Sequence, residues 1–145
     1  MDARGQRTGT KAQGLLYWIP TVLLALLMFS GGLMNALQSE ESAKGFAQLG
    51  YPAYFAVMLG SAKVLGALAL LLPVPRVLRE WAYAGFTFDV LAAAVSLHAI
   101  GAPAVNLAAP LVALALVQLS YFGWRRRSGR AAAQLPSRAP AASWA

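Results

Sequence analysis

Four runs of apolar residues, separated by short polar stretches, organise the chain: residues 15–37, 54–72, 81–100 and 103–124. Each approaches the roughly 20 residues that a helix needs to cross a bilayer. None shows the strict alternation of a half-buried strand. In lipid only helices and closed barrels satisfy their own backbone, so the pattern predicts an all-α protein, a four-helix transmembrane bundle. Short connections predict that sequence neighbours pack side by side and run antiparallel. The first run is longer than the roughly 7–15 apolar residues of a signal peptide. Its exit, "NALQSEES", offers no small-residue cleavage site, so it is read as an uncleaved span.

The runs divide the chain into a basic tail (residues 1–14), a transmembrane domain (15–124) and a second basic tail (125–145). Both tails are rich in Gly, Ala, Pro, Ser and Arg without apolar periodicity, and they are expected to be disordered.

Composition agrees with this division. Charged residues make up 12% of the chain, against about 25% in an ordinary soluble domain. There is no cysteine, which excludes a disulfide framework, a thiolate nucleophile and a cysteine-held metal. The single histidine, His98, cannot supply two axial ligands to a haem. Motifs of hydrolases, metalloproteases, P-loops and dinucleotide sites are absent.

The net charge is +7, and its placement matters more than its size. Arg4, Arg7, Lys11, Arg76, Arg79, Arg125, Arg126, Arg127, Arg130 and Arg138 fall on one side of the expected membrane, and Lys44 alone on the other. The positive-inside rule then puts both termini in the cytoplasm and the protein in the inner (plasma) membrane. Trp18, Trp81 and Trp124 lie at the same ends of the runs, with Tyr51 and Tyr54 opposite, as an interfacial aromatic belt requires. No nucleic-acid motif accompanies the charge, so membrane lipid is the expected partner and nucleic acid is not.

One basic residue departs from this pattern. Lys63 sits at the middle of the second run, where a lysine costs roughly 2.5–3.5 kcal/mol on insertion scales. Asp89, near the middle of the third run, lies at matching depth: Lys63 is nine residues from Leu72 and Asp89 eight from Trp81. At about 1.5 Å per residue the two differ in depth by only about 2 Å. Ala56, Gly60, Gly66 and Ala67 share the face of Lys63, and Ala82, Gly85, Ala92, Ala93 and Ser96 that of Asp89. Such small-residue stripes mark faces turned into a bundle. Phe86, Phe88 and Leu91 are expected to point elsewhere. An intramembrane Lys63–Asp89 pair is therefore predicted, serving as a register-fixing ion pair, a proton relay or a polar anchor for a ligand headgroup. Asn35, His98 and Asn106 stand at the outer ends of the first, third and fourth runs, and are expected to converge on an outer polar mouth near Glu40 and Glu41. Gln118 is expected to hydrogen-bond another helix.

The run "LGYPAYFAVMLGSAKVLGALALLLP", with "LREWAYAGFTFDVLAAAVSLHAIG" and "LSYFGW", resembles the DoxX-like family of small bacterial membrane proteins. The resemblance extends over about residues 15–124. Its most specific parts are Leu49, Gly50, Tyr51 and Pro52, the segment from Gly60 through Lys63 to Gly66, Glu80 to Ala82, Gly85 with Phe86, and Ser96 with His98. It implies a four-span membrane protein. Relatives called DoxX or DoxD are associated with quinone-linked thiosulfate oxidation and with thiol or oxidant-stress complexes, and kinship with quinone-using thiol oxidoreductases has been suggested. The resemblance carries over no catalytic residue. Without cysteine, any thiol exchange belongs to a partner protein. The residues themselves name no cofactor; the resemblance points to a quinone.

Three functions remain open. The first is an accessory, non-catalytic subunit of a quinone-linked membrane redox system, with redox partner proteins and a small hydrophobic ligand. The second is a small proton-coupled carrier using Lys63 and Asp89. The third is a structural membrane scaffold.

Overall fold

The computed structural model describes residues 3–133. Five α-helices and one short 3-10 turn follow in order: α1 (Ala3–Ala36), α2 (Glu40–Gln48), α3 (Ala53–Leu71), α4 (Arg76–Ala99), the 3-10 turn Ala104–Leu107, and α5 (Ala108–Ala133). There is no strand among the described residues. Four described stretches are long and apolar enough to cross a membrane: Tyr17–Ala36, Ala53–Leu71, Arg76–Ala99 and Ala104–Gly129.

The four long helices form a square. α1 packs against α3 and α5, α4 packs against the same two, and α1 and α4, on the diagonal, meet only through side chains at the centre of the bundle. Facing residues run in opposite order, so neighbours are antiparallel. Gly66 meets Phe86 where Lys63 meets Asp89, and Tyr17 meets Gly123 where Thr21 meets Ser120.

The core stripe of α1 comprises Tyr17, Thr21, the adjacent Leu24 and Ala25, Met28 and Gly32, each turn of the helix supplying the next contact three or four residues on. It meets Ala67 and Leu70 of α3, Tyr83, Phe86 and Val90 of α4, and Ala113, Val117 and Trp124 of α5 in one cluster. The outward residues are just as apolar: Leu26, Leu65, Phe88 and Val95 are all more than 60% exposed. Lipid-facing and core-facing positions share one chemistry, so hydrophobicity marks the spans without marking their faces.

Three features differ from the expectation. First, α2 was not anticipated. Ser39 caps it by accepting from Ser42 N at 3.3 Å, and Glu40 and Glu41 occupy its first turn, where the helix dipole favours negative charge. Gly50, at φ +77°, turns the chain after it. Second, α4 begins at Arg76 rather than near Trp81. Pro75 stands at its N-cap, and Arg76 pairs with Glu80 one turn on at 3.6 Å. Third, α1 starts at Ala3 and α5 continues to Ala133, so helix extends into both segments expected to be disordered. The alanines of 131–133 favour helix, and no proline interrupts residues 3–19 or 111–133. The rest of both tails lies outside the described residues.

The ends of the bundle are built differently. At one end Arg79 Nη2 donates to Leu72 O at 2.7 Å and its Nε to Ala69 O at 3.4 Å, closing the C-terminus of α3. Arg76 lies over the Trp124 ring and Arg127 over the Tyr17 ring, 5.5 and 4.9 Å from the centroids. At the other end α2 lies across the bundle. Gln38, at φ 51°, reverses the chain into it, and its side-chain amide donates to Ala53 O at 3.2 Å.

Candidate functional site

Lys63 is positioned by helix α1, which the small-residue stripes did not identify as its neighbour. A Cβ built on Gly32 would fall 2.7 Å from Lys63 Cβ and 2.9 Å from Gly60 O. One built on Gly60 would fall 2.9 Å from Asn35 Cβ and collide with Ala36 N. Only glycine permits this approach of α1 to α3. With α1 pressed against its base, the Lys63 side chain reaches across to α4. The rotation of α4 is set by buried Tyr83, Phe86 and Val90. Phe86 is thus a core residue, contrary to the expectation that it faces away, because its ring fills the space over Gly66; a Cβ there would lie 2.7 Å from Phe86 Cζ. Phe88 and Leu91 do face outward.

Lys63 Nζ lies 3.2 Å from Asp89 Oδ2, with the two side chains 19% and 10% exposed. Beside the pair lies a cavity of about 310 Å³. The pair forms part of its wall, with Asn35, Ser42, Tyr51 and Ser96 as further polar lining and Phe46, Phe55, Leu59 and Leu97 as apolar lining. Ser42, Gly45, Phe46 and Leu49 belong to α2 or its C-cap, so this short helix roofs the cavity. Three contacts hold the roof. Ser42 Oγ donates to Asn35 Oδ1 at 2.8 Å. Phe46 packs edge-on to Tyr51 and Phe55 at 6.1 and 6.2 Å. Tyr51 stacks on Phe55 at 4.8 Å, and its hydroxyl shares a hydrogen bond with Ser96 at 3.2 Å. Ala92 and Ala93 line the cavity rather than a tight helix contact, so part of the α4 stripe makes space. Gly85 has open space around it and belongs to no packed stripe.

Mostly apolar walls with a few convergent polar groups are the common form of a small-molecule site, and this volume is at the small end of the range. The ammonium carries three donors and the carboxylate several acceptor sites. Among the described residues, neither makes a hydrogen bond beyond their mutual contact. The pair therefore keeps donors and acceptors for a ligand carbonyl, a hydroxyl or water.

The three residues expected at an outer mouth differ in what surrounds them. Asn35 lines the cavity, but His98 and Asn106 do not; both are exposed. His98 lies in the last turn of α4, one residue before its end, and Asn106 lies in the 3-10 turn. Gln118 makes no hydrogen bond among the described residues. It lines a groove between α4 and α5 with Glu80, Tyr83, Thr87, Tyr121 and Arg125. No group of three His, Asp or Glu side chains among the described residues is arranged to hold a metal ion.

One polar cluster was not foreseen. The Ser120 hydroxyl lies 2.7 Å from both Thr21 Oγ1 and the Tyr83 hydroxyl, and Thr21 Oγ1 also donates to Tyr17 O at 2.6 Å. Thr21 and Ser120 are fully buried. This node ties α1, α4 and α5 together at one depth. The available signal was an isolated hydroxyl within an apolar run, which hydropathy averaging hides.

The DoxX-like family profile matches residues 19–120, more than half of the chain and a stretch that contains both Lys63 and Asp89. No curated protein and no solved structure is significantly similar to the chain. With four spans packed as an all-helical bundle and that match across them, the chain belongs to the DoxX-like family and is a multi-pass membrane protein.

Proposed function

We propose that this chain is an accessory, non-catalytic subunit of a quinone-linked membrane redox system, and that it holds a quinone headgroup in the cavity under α2. The observation that carries this reading is the Lys63–Asp89 pair on the wall of a roofed, mainly apolar cavity. A quinone ring suits apolar and aromatic walls such as Phe46, Phe55 and Leu59, and its carbonyl oxygen accepts from an ammonium. The redox link rests on the family. Electrons would come from and return to partner proteins, since the chain holds no cysteine. The bias of basic residues supports an inner-membrane protein with both termini in the cytoplasm.

Thermal unfolding of the detergent-solubilised full chain tests the reading. A short-chain benzoquinone at about 100 times its Kd should stabilise the protein by about 2.7 kcal/mol. Ala93→Leu, which fills the cavity from its wall, should abolish the shift. If no quinone co-purifies and none raises Tm, the reading is wrong.

A proton-coupled carrier is the second reading, favoured by one observation. The groove lined by Glu80, Tyr83, Thr87 and Gln118 reaches toward the arginine-bearing end, while the Lys63–Asp89 cavity lies under α2 at the opposite end. Proton-driven uptake into vesicles, lost in Asp89→Asn, would support it over the accessory subunit. A scaffold predicts that replacing the pair by apolar residues of similar size leaves cells unaffected.

A further inference from the structure

At the arginine-bearing end, a pocket of about 430 Å³ opens between the first turns of the α1 span, the C-terminus of α3 and the end of α5. Its charged lining is Arg79 and Arg127; its apolar lining includes Trp18, Leu71, Leu72 and Pro73. No acidic side chain lines it. Glu80, one residue from Arg79, is engaged by Arg76 at 3.6 Å.

The end of a helix ordinarily repels anions, because its last carbonyls are unsatisfied and carry the negative end of the dipole. Here Arg79 covers them, donating to Leu72 O at 2.7 Å and to Ala69 O at 3.4 Å. A guanidinium has five N–H donors, so three remain. Arg127 is held with its guanidinium carbon 4.9 Å from the Tyr17 ring centroid, which orients a second planar fork at the same rim. Two arginines over an apolar floor, at the level where membrane-spanning helices end, suit a ligand with an anionic head and a hydrocarbon body.

We propose that this pocket binds the phosphodiester headgroup of an anionic phospholipid. The phosphate oxygens take paired hydrogen bonds from Arg79 and Arg127, and the acyl chains lie along Leu71 and Leu72 toward the bilayer. A free phosphate ion would satisfy the arginines and leave the apolar floor unused, so the lipid is the better fit. The site is independent of the cavity under α2.

Native mass spectrometry of the full chain in mild detergent, with phosphatidylglycerol or phosphatidylcholine added, tests this. Phosphatidylglycerol should be retained in preference, and Arg127→Gln should weaken its retention about tenfold, the loss expected for one charge-assisted hydrogen bond. Arg126→Gln, which removes the same charge from an exposed side chain outside the pocket, should leave retention unchanged. Inorganic phosphate at millimolar concentration should not displace the lipid. Equal losses in the two variants would show diffuse attraction and overturn the proposal. Displacement by inorganic phosphate, or equal retention of phosphatidylcholine, would overturn it as well. Arg127 lies outside the buried core, so its variant separates lipid binding from folding, which circular dichroism of the same sample checks.

Discussion

Gly32 of α1 and Lys63 of α3 are packed so closely that a Cβ on the glycine would fall 2.7 Å from the lysine's own Cβ. The helix with no charge at that depth thus sets the direction in which the charged one can reach. Gly32→Leu should therefore destabilise the protein by about 1–3 kcal/mol, through forced separation of α1 and α3. Gly31, its neighbour, has open space around it, and Gly31→Leu should be nearly neutral. Thermal unfolding of both variants in detergent checks the contrast; equal losses would mean that the close approach is not the cause.

Lys63 and Asp89 should behave as a coupled unit. Removing one partner leaves a charge largely buried without compensation, at a cost of order 3 kcal/mol. Lys63→Met and Asp89→Leu should each lower the yield of folded protein, and the double change should partly restore it. Size-exclusion profiles of the four proteins give the coupling. A double variant as damaged as the two singles added together would show that the 3.2 Å contact carries no mutual stabilisation.

The Ser120 hydroxyl serves two partners, so its loss should exceed the loss of either. Tyr83→Phe removes one hydrogen bond and leaves Ser120 with Thr21, a change of about 0.5–1.5 kcal/mol. Ser120→Ala removes its bonds to both Thr21 and the Tyr83 hydroxyl inside the core, at about 1–3 kcal/mol. Chemical denaturation of the two variants should rank them in that order; the reverse ranking would remove Ser120 from the centre of the node.

Topology can be measured independently of any ligand. Arg76 and Arg127 meet Trp124 and Tyr17 at one end of the bundle. Reporters that work only in the cytoplasm, fused before residue 1 or after residue 124, should both be active. Activity only from a reporter that requires the outside would invert the orientation.

Much of the fold was legible without coordinates. A bilayer of fixed thickness and a backbone that must satisfy itself turn four apolar runs into four spans, whatever their neighbours. The depth of Lys63 and of Asp89 followed from counting residues along two helices joined by a short link. The capping signal of α2, Ser39 followed by Glu40 and Glu41, was also present, although apolar runs alone pass over it.

Rotation about each helix axis was not legible, and rotation decides the site. In a soluble protein the polar face would reveal it; here Phe86 in the core and Phe88 facing outward have the same chemistry two residues apart. Only the packed bundle placed Phe86 over Gly66 and Gly32 under Lys63, and laid α2 over the ion pair. Length and hydropathy determined how many times the chain crosses and how deep its charges lie. The close packing of glycines and rings, a property of three-dimensional contact, decided which residues meet.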